Sequence, residues 1–258
     1  MNSKLSVSLI TPSFNQAETI RSCIDSVIRQ QYRVHEHIIM DGNSSDSTGD
    51  LVHSLDLPGI RFFSEPDGGP YDAMNKGIEK ATGDLVGILN TDDCYCDDRV
   101  IGDVAELLET SGADCLYADL VFVDRHNPEK VLRYWKSYPF TPGSFSKGYH
   151  PPHPTFFVKR ELYRKLGGFN TILKISADFE LMLRFLEKYR ITACYLPRPI
   201  VRMRLGGIST GSAGSVLHGY KECYRAFGMN GIPVGPDYFI RRTRVILQQY
   251  WKREGLVN

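Results

Sequence analysis

Four short apolar runs in the first half of the chain restrict the fold more than any other feature. Each closes on polar residues, and one helical pattern separates each from the next. Leu5 to Ile10 closes on Thr11-Pro12-Ser13-Phe14-Asn15, and His37-Ile38-Ile39-Met40 closes on Asp41-Gly42. Ile60 to Phe63 leads to Glu65-Pro66-Asp67-Gly68-Gly69, and Leu85-Val86-Gly87-Ile88-Leu89 closes on Asn90-Thr91-Asp92-Asp93. Between the runs, Ala17 to Arg29 carries Ile20, Ile24, Val27 and Ile28 on one face, as a helix does. Ser44 or Ser45 is positioned to cap a second helix through Leu51 to Leu55. A third spans Tyr71 to Ala81 and ends at Gly83, read as a left-handed C-cap. Strands joined by single helices imply βαβ units with right-handed crossovers. The expected fold class is therefore α/β, a Rossmann-like, mainly parallel sheet flanked by helices. In such a sheet the polar strand ends gather along one edge, where ligands bind.

The rhythm changes after about residue 114. Cys115-Leu116-Tyr117 and Leu120-Val121-Phe122-Val123 read as strands, with Val131 to Lys136 as their partner. Pro139 to Pro154 reads as a long functional loop. Lys159 to Leu166 and Asp178 to Tyr189 read as helices. Residues 205–215 hold four glycines and read as a mobile lid, with Arg202 and Arg204 just before it. The expected organisation is one domain over 1–215, with a nucleotide-binding half (1–113) and a small antiparallel acceptor-side half (114–215). A C-terminal helical extension over 216–258 follows.

Composition narrows the function. A formal net charge of +1 argues against a nucleic-acid partner. None of the six cysteines forms a CxxC pair, so reduced thiols in a cytoplasmic protein are expected. The N-terminus runs straight into a strand, and no apolar run reaches the length of a membrane span. Basic residues 241, 242, 244, 252 and 253 alternate with Phe239, Ile240, Val245, Leu247 and Tyr250. A helix of that kind suits peripheral contact with the inner face of the cytoplasmic membrane; packing on the domain is the alternative.

The chemistry concentrates at the strand ends. Neither a P-loop nor a dinucleotide fingerprint follows the first strand, which excludes the common ATPase and nicotinamide designs. Adjacent carboxylates such as Asp92 and Asp93 repel and must be solvated, paired or metal-bound. At the carboxyl end of a buried strand they suit a divalent cation held by oxygen ligands against a phosphorylated substrate. Capping the helix that begins near Asp97 is the structural alternative. Asp41 is positioned to accept from a base N–H or merely to open the turn with Gly42.

Ser8-Leu9-Ile10-Thr11-Pro12-Ser13-Phe14-Asn15, Ile38-Ile39-Met40-Asp41-Gly42 and Asn90-Thr91-Asp92-Asp93 resemble the three signatures of family 2 glycosyltransferases with the GT-A fold. Ser64 to Gly77 is similar to the exopolysaccharide and colanic-acid branch, as are His153 to Phe157, Gly167 to Asn170, Ile175 to Leu181 and Gly206 to Thr210. The resemblance covers roughly residues 5 to 210. It implies that Thr11, Ser13, Asn15, Asp67 and Arg204 serve the nucleotide-sugar and that Asp41 reads its base. It implies that Asp92 and Asp93 meet Mg²⁺ or Mn²⁺ on the donor diphosphate, and that Asp178 is the catalytic base. His153 would hold the acceptor or orient Asp178. Three positions depart from the pattern. Asn90 stands where an acid is usual. Gly206 stands where many relatives have a metal-contacting histidine. Met74 stands where many have Arg, leaving Lys76, Arg202 and Arg204 to meet diphosphate charge. The expected activity is metal-dependent, inverting transfer from a UDP- or GDP-sugar to a saccharide or lipid-linked acceptor in surface polysaccharide synthesis. A catalytically silent sugar-nucleotide-binding or scaffold protein is the alternative. Base, sugar, acceptor, linkage and oligomeric state are not encoded legibly.

Overall fold

The computed structural model describes residues 5–206 and 213–251. The first half alternates as its periodicity requires. β1 (Val7–Ser13), β2 (Glu36–Asp41), β3 (Ile60–Ser64) and β4 (Leu85–Ile88) are parallel neighbours in the order β3-β2-β1-β4. α1 (Ile20–Ile28), α2 (Thr48–Ser54) and α3 (Pro70–Lys80) connect them. β1 and β2 are buried at every position, as near-continuous apolar strands covered on both faces should be.

Two local expectations fail here for physical reasons. The cap of α2 is Ser47, because Ser44 and Ser45 are engaged with Asp41 and Asn15 instead. α3 ends on Ala81 in an extended conformation, and Gly83 is not left-handed. Gly83 is needed for space: a Cβ there would lie 2.7 Å from Ser8 Oγ and 2.9 Å from Ser8 N.

The second half widens the sheet with mixed pairings. β5 (Asp93–Tyr95) follows β4 directly, and α4 (Val100–Ser111) leads to β6 (Cys115–Val123), one strand rather than two. β7 (Val131–Trp135) pairs antiparallel with β6, as expected. β8 (Phe157–Lys159) lies antiparallel between β4 and β6. β9 (Ala193–Arg204), which the sequence reading missed, runs parallel to β6 and antiparallel to β5. It carries Pro197 and Pro199, and its pairing with β6 slips around Asp119, so no clean period of two appears in its sequence. Among the described residues the nine strands form one sheet.

α5 (Arg160–Leu166) and α6 (Ala177–Leu183) follow, and α6 continues as a π-turn over Arg184–Lys188. α7 (Ala213–Met229) and α8 (Tyr238–Trp251) close the chain. Ala226, Phe227 and Tyr238 sink into the same core cluster as Phe179, Leu181 and Phe185 of the α6 region. The segment expected as an appended extension thus shares a core cluster that also includes Ile10, Ile38 and Val86 of the parallel strands.

Candidate active site

The carboxyl ends of β1, β2 and β4 open into a cleft of 640 Å³ whose far wall is the start of α6. Ser13, Asp67, Asp92, His153, Asp178 and Arg204 all line it. Six expected site residues, spread over 192 positions of sequence, therefore meet in one place.

Asp92 faces the cleft and Asp93 does not. Asp93 opens β5, is wholly buried, and accepts from Asn90 Nδ2 at 3.0 Å through Oδ2, while its buried Oδ1 lacks a partner. Burial first, and then the negative charge of Asp92, push the Asp93 carboxyl well above the carboxylate range. Burial also raises Asp92, against the opposing pull of Arg204 and Arg125. Arg204 donates to the Asp92 carbonyl oxygen at 2.9 Å and to Ser22 Oγ at 3.2 Å, which fixes its guanidinium beside the pair. No group of three or more metal-ligating side chains forms among the described residues. The donor set still fits a hard cation: Mg²⁺ takes one or two carboxylates and completes its shell with substrate phosphates and water. A divalent charge would reverse the preference of these carboxyls for protons.

Asp178 sits in the first turn of α6, two residues after the cap Ser176. The backbone N–H groups of this helix start are not capped by Asp178. Glu222 of α7 accepts from the N–H groups of Lys174, Ile175 and Ser176 at 2.7, 2.8 and 2.8 Å. Burial disfavours that charge, yet the three backbone bonds and His218 hold the Glu222 carboxyl below its usual range. The Asp178 carboxylate is thereby left to the cleft. Its recorded partner is Tyr71 Oη, 3.2 Å from Oδ1 and 2.6 Å from the Ile175 carbonyl oxygen. Only one proton is available for those two acceptors. His153 is buried with its ring edge-on to Phe169 at 5.2 Å, and its Nε2 lacks a partner. Burial lowers its pKa, with Asp178 pulling the other way.

Three expected nucleotide contacts lie elsewhere. Thr11 is fully buried and bonds His37 Nε2 at 2.8 Å, a pin between β1 and β2. Asn15 takes φ 51° and binds the 44–45 turn: its N–H donates to Ser44 Oγ at 2.8 Å and its Oδ1 accepts from Ser45 N at 2.9 Å. Asp41 is 2% exposed and saturated by Ser44 N, Ser44 Oγ and Ser64 Oγ at 2.9, 2.5 and 2.7 Å. The acid that reaches the cleft beside it is Asp67, close over Gly42, where a Cβ would stand 2.7 Å from Asp67 Oδ2. Among the cations offered for diphosphate, Lys76 is tied to Glu65, Asp72 and the Pro66 carbonyl, and Arg202 to Glu129. Neither lines the cleft, whereas Arg125 and Lys174 do, and both were missed. Arg125 follows the end of β6, so the strand-end rule used for the first half would have found it. The glycine-lid expectation at Gly207 and Gly211 lies outside the described residues; Gly206 lines the cleft with φ 108°.

The sequence profile of glycosyl transferase family 2 matches residues 8–167. The chain is 35% identical over 187 residues to the uncharacterized glycosyltransferase Rv1514c of Mycobacterium tuberculosis, covering 71% of this chain and 70% of that one. It is 26% identical over 194 residues to a PGL/p-HBAD biosynthesis glycosyltransferase of Mycobacterium bovis, covering 73% of each. Its structure resembles that of S. aureus TarS 1–349 in complex with UDP-GlcNAc (TM-score 0.66, 15% identity, 95% of this chain and 82% of that one). It also resembles the mannosyltransferase PcManGT from Pyrobaculum calidifontis in complex with GDP-Man and Mn²⁺ (TM-score 0.67, 20% identity, 95% and 69%). The chain spans 44% of a longer TarS structure. These likenesses show the GT-A fold. With the profile matching more than half its length, the chain belongs to glycosyl transferase family 2.

Proposed function

We propose that this glycosyltransferase moves a sugar from a nucleoside-diphosphate donor to an acceptor hydroxyl in a single inverting displacement. The observation that carries the reading is that Asp92 and Asp178 line one cleft together with Ser13 and Asp67. Displacement at an anomeric carbon needs charge neutralised on the leaving diphosphate and a base at the acceptor hydroxyl. Asp178 takes the hydroxyl proton, on the side of the cleft remote from Asp92. Arg204 and Arg125 set positive charge where the diphosphate departs. Asp92, with Asp93 behind it, would hold Mg²⁺ or Mn²⁺, which supplies further positive charge to the leaving group. His153 sits against the acceptor side. The donors of two structural neighbours, UDP-GlcNAc and GDP-Man, support a UDP- or GDP-sugar here.

The acceptor we infer is a saccharide or lipid-linked saccharide of a surface polymer, as the motifs shared with the exopolysaccharide branch suggest. No helix among the described residues is long and apolar enough to cross a membrane. α8 nevertheless leaves Ile240, Leu247 and Tyr250 exposed beside Arg241 and Arg244, a face suited to peripheral membrane contact. Arg242 does not share that face, being buried; Lys252 and Arg253 lie outside the described residues. Co-sedimentation with anionic against neutral vesicles tests the contact, and equal binding to both removes it.

The direct test is a thermal-shift screen of UDP-, GDP- and CDP-sugars with and without Mn²⁺, followed by product stereochemistry with the donor that binds. Metal-enhanced stabilisation by one donor and inversion at the anomeric carbon are expected. Retention of configuration, or Asp92→Asn with unchanged response to Mn²⁺, would reject the mechanism.

A further inference from the structure

A second cavity of 340 Å³ lies behind the acceptor wall of the cleft, between the exit of β7, the 139–151 loop and α8. Nothing in the proposed reaction uses it. Its sides are aromatic: Trp135, Phe140, Tyr149 and the ring of His150 among them. Its charged lining consists of Lys136, Lys147 and Arg242, with no aspartate or glutamate.

Arg242 is the informative member. It is 7% exposed, donates through Nη1 to the Gly148 carbonyl oxygen at 3.0 Å, and stands 4.9 Å from the Trp135 ring centroid. No carboxylate of a described residue forms an ion pair with it. Arg133, equally buried, lies over the Phe122 and Trp135 rings at 3.8 and 5.6 Å and repels Arg242. Two guanidiniums withdrawn from water around one indole, without a carboxylate between them, form a costly arrangement for stability alone. Burial presses Arg133 below the usual guanidinium range, against an opposing hydrogen bond with Tyr250 and with a further push from Arg242, and burial does the same to Arg242. An anion in the cavity would offset that cost. The flat rings beside it suit an apolar or sugar face on the same molecule.

The two cavities share a wall. His150 and Pro151 line this one, while His153 and Pro154 line the cleft. Phe179, next to Asp178, packs edge-on to His150 at 5.1 Å. We propose that the second cavity binds an anionic group of the acceptor, a phosphate or carboxylate carried beside a flat apolar or sugar surface, and so seats the acceptor at a point remote from the hydroxyl that reacts. Only the identification of the ligand as acceptor rests on the transferase reading; anion binding by the cavity does not.

The test follows the fluorescence of Trp135 in the full chain with Trp251→Phe, which removes the other of the two tryptophans. The probes are octyl phosphate below its micellar concentration, octyl glucoside and inorganic phosphate, all without donor. Octyl phosphate should give a saturable change, with affinity at least about tenfold above either other probe, as a charge-assisted pair joined to apolar contact requires. Arg242→Gln should weaken it by about tenfold. Because that variant risks the fold, Lys136→Gln with Lys147→Gln, both exposed, provides a second reading and should weaken it several-fold with unchanged melting. Equal affinity for octyl phosphate and octyl glucoside, or no response to the lysine pair in a folded variant, overturns the anion site. Equal affinity for inorganic phosphate overturns its apolar half. A parallel titration with nucleotide-sugar reads the cleft alone, so failure there does not mimic failure here.

Discussion

The donor side and the acceptor side of the cleft are built by opposite means. On the donor side the polar strand ends come from successive βα units, and bonds within residues 5–113 fix the ends of β1 and β2, while Arg204 reaches in to hold the Asp92 carbonyl. At the opposite, amino end of β2, Glu36 likewise accepts from Ser8 Oγ at 2.6 Å and from Thr82 N and Oγ1 at 2.7 and 2.8 Å, and pairs with Arg61. On the acceptor side Asp178 depends on a carboxylate 44 positions later, Glu222, and on core residues from α7 and α8. Bonds near in sequence thus hold much of the donor side, with Arg204 as the distant exception. The acceptor side is assembled from distant pieces, so damage to it should affect turnover and leave nucleotide binding alone.

The largest expected effect tests that division directly. Asp178→Asn should lower transfer by about 10²–10⁴-fold, the usual contribution of a general base, with nucleotide-sugar affinity unchanged in a titration. Loss of donor affinity together with turnover would dissolve the distinction between the two sides. Next in size is Arg125→Gln, which should reduce turnover by roughly tenfold or more, as loss of one preorganised charge at a leaving group does. Because Arg125 follows β6, this would show the acceptor half reaching across to the diphosphate; an unchanged rate would return that task to Arg204 alone.

Glu222→Gln comes third. It replaces a carboxylate that accepts three N–H groups by an amide that cannot accept at its nitrogen, at a cost of about 2 kcal/mol. Turnover should fall by roughly tenfold, with donor affinity within about twofold of wild type. A thermal shift with no change in turnover would make Glu222 a purely structural cap. The smallest effect belongs to the donor side and is read by pH. Burial alone would raise the Glu36 carboxyl, but hydrogen bonds from Ser8, Thr82 and Arg61 prevail and hold it at about 2. A folded-state pKa depressed below 4.5 gives stability that is complete above that value and lost as pH falls toward 2. Wild type should therefore lose about 2 kcal/mol more than Glu36→Gln between those limits in denaturant titrations. Identical acid profiles would mean that the network does not stabilise the fold.

The same contrast explains what could be read without coordinates. The βαβ units were legible because each announces itself within some thirty residues, through an apolar run, a polar end and a helical period. β9 was not, since two prolines and a slipped register erase its alternation. At the site, strand-end position and the family resemblance pointed to Ser13, Asp67, Asp92, Arg204, His153 and Asp178, and all six line one cleft. They could not tell which acids were already saturated. Asp41 is consumed by two serines, one of them from the next strand, and Asp93 turns inward because β5 begins on it. Those outcomes depend on partners that sequence spacing does not specify. Arg125 and Glu222 escaped notice for the converse reason: each works on an element far along the chain from its own.

The carboxylate of Glu222 under the first turn of α6 also imposes an order in time. Translation delivers residues 1–113 first, and about 109 positions separate that point from residue 222. At the usual ~5–20 residues per second, roughly five to twenty seconds of synthesis lie between them. During that interval the nascent chain has β1 to β4, while the backbone amides ahead of Asp178 still await their acceptor. Ribosome-stalled chains ending shortly before and well after residue 222 should differ sharply in transfer activity. A sugar nucleotide met early by an unfinished molecule would then go unconsumed until the C-terminal helices arrive.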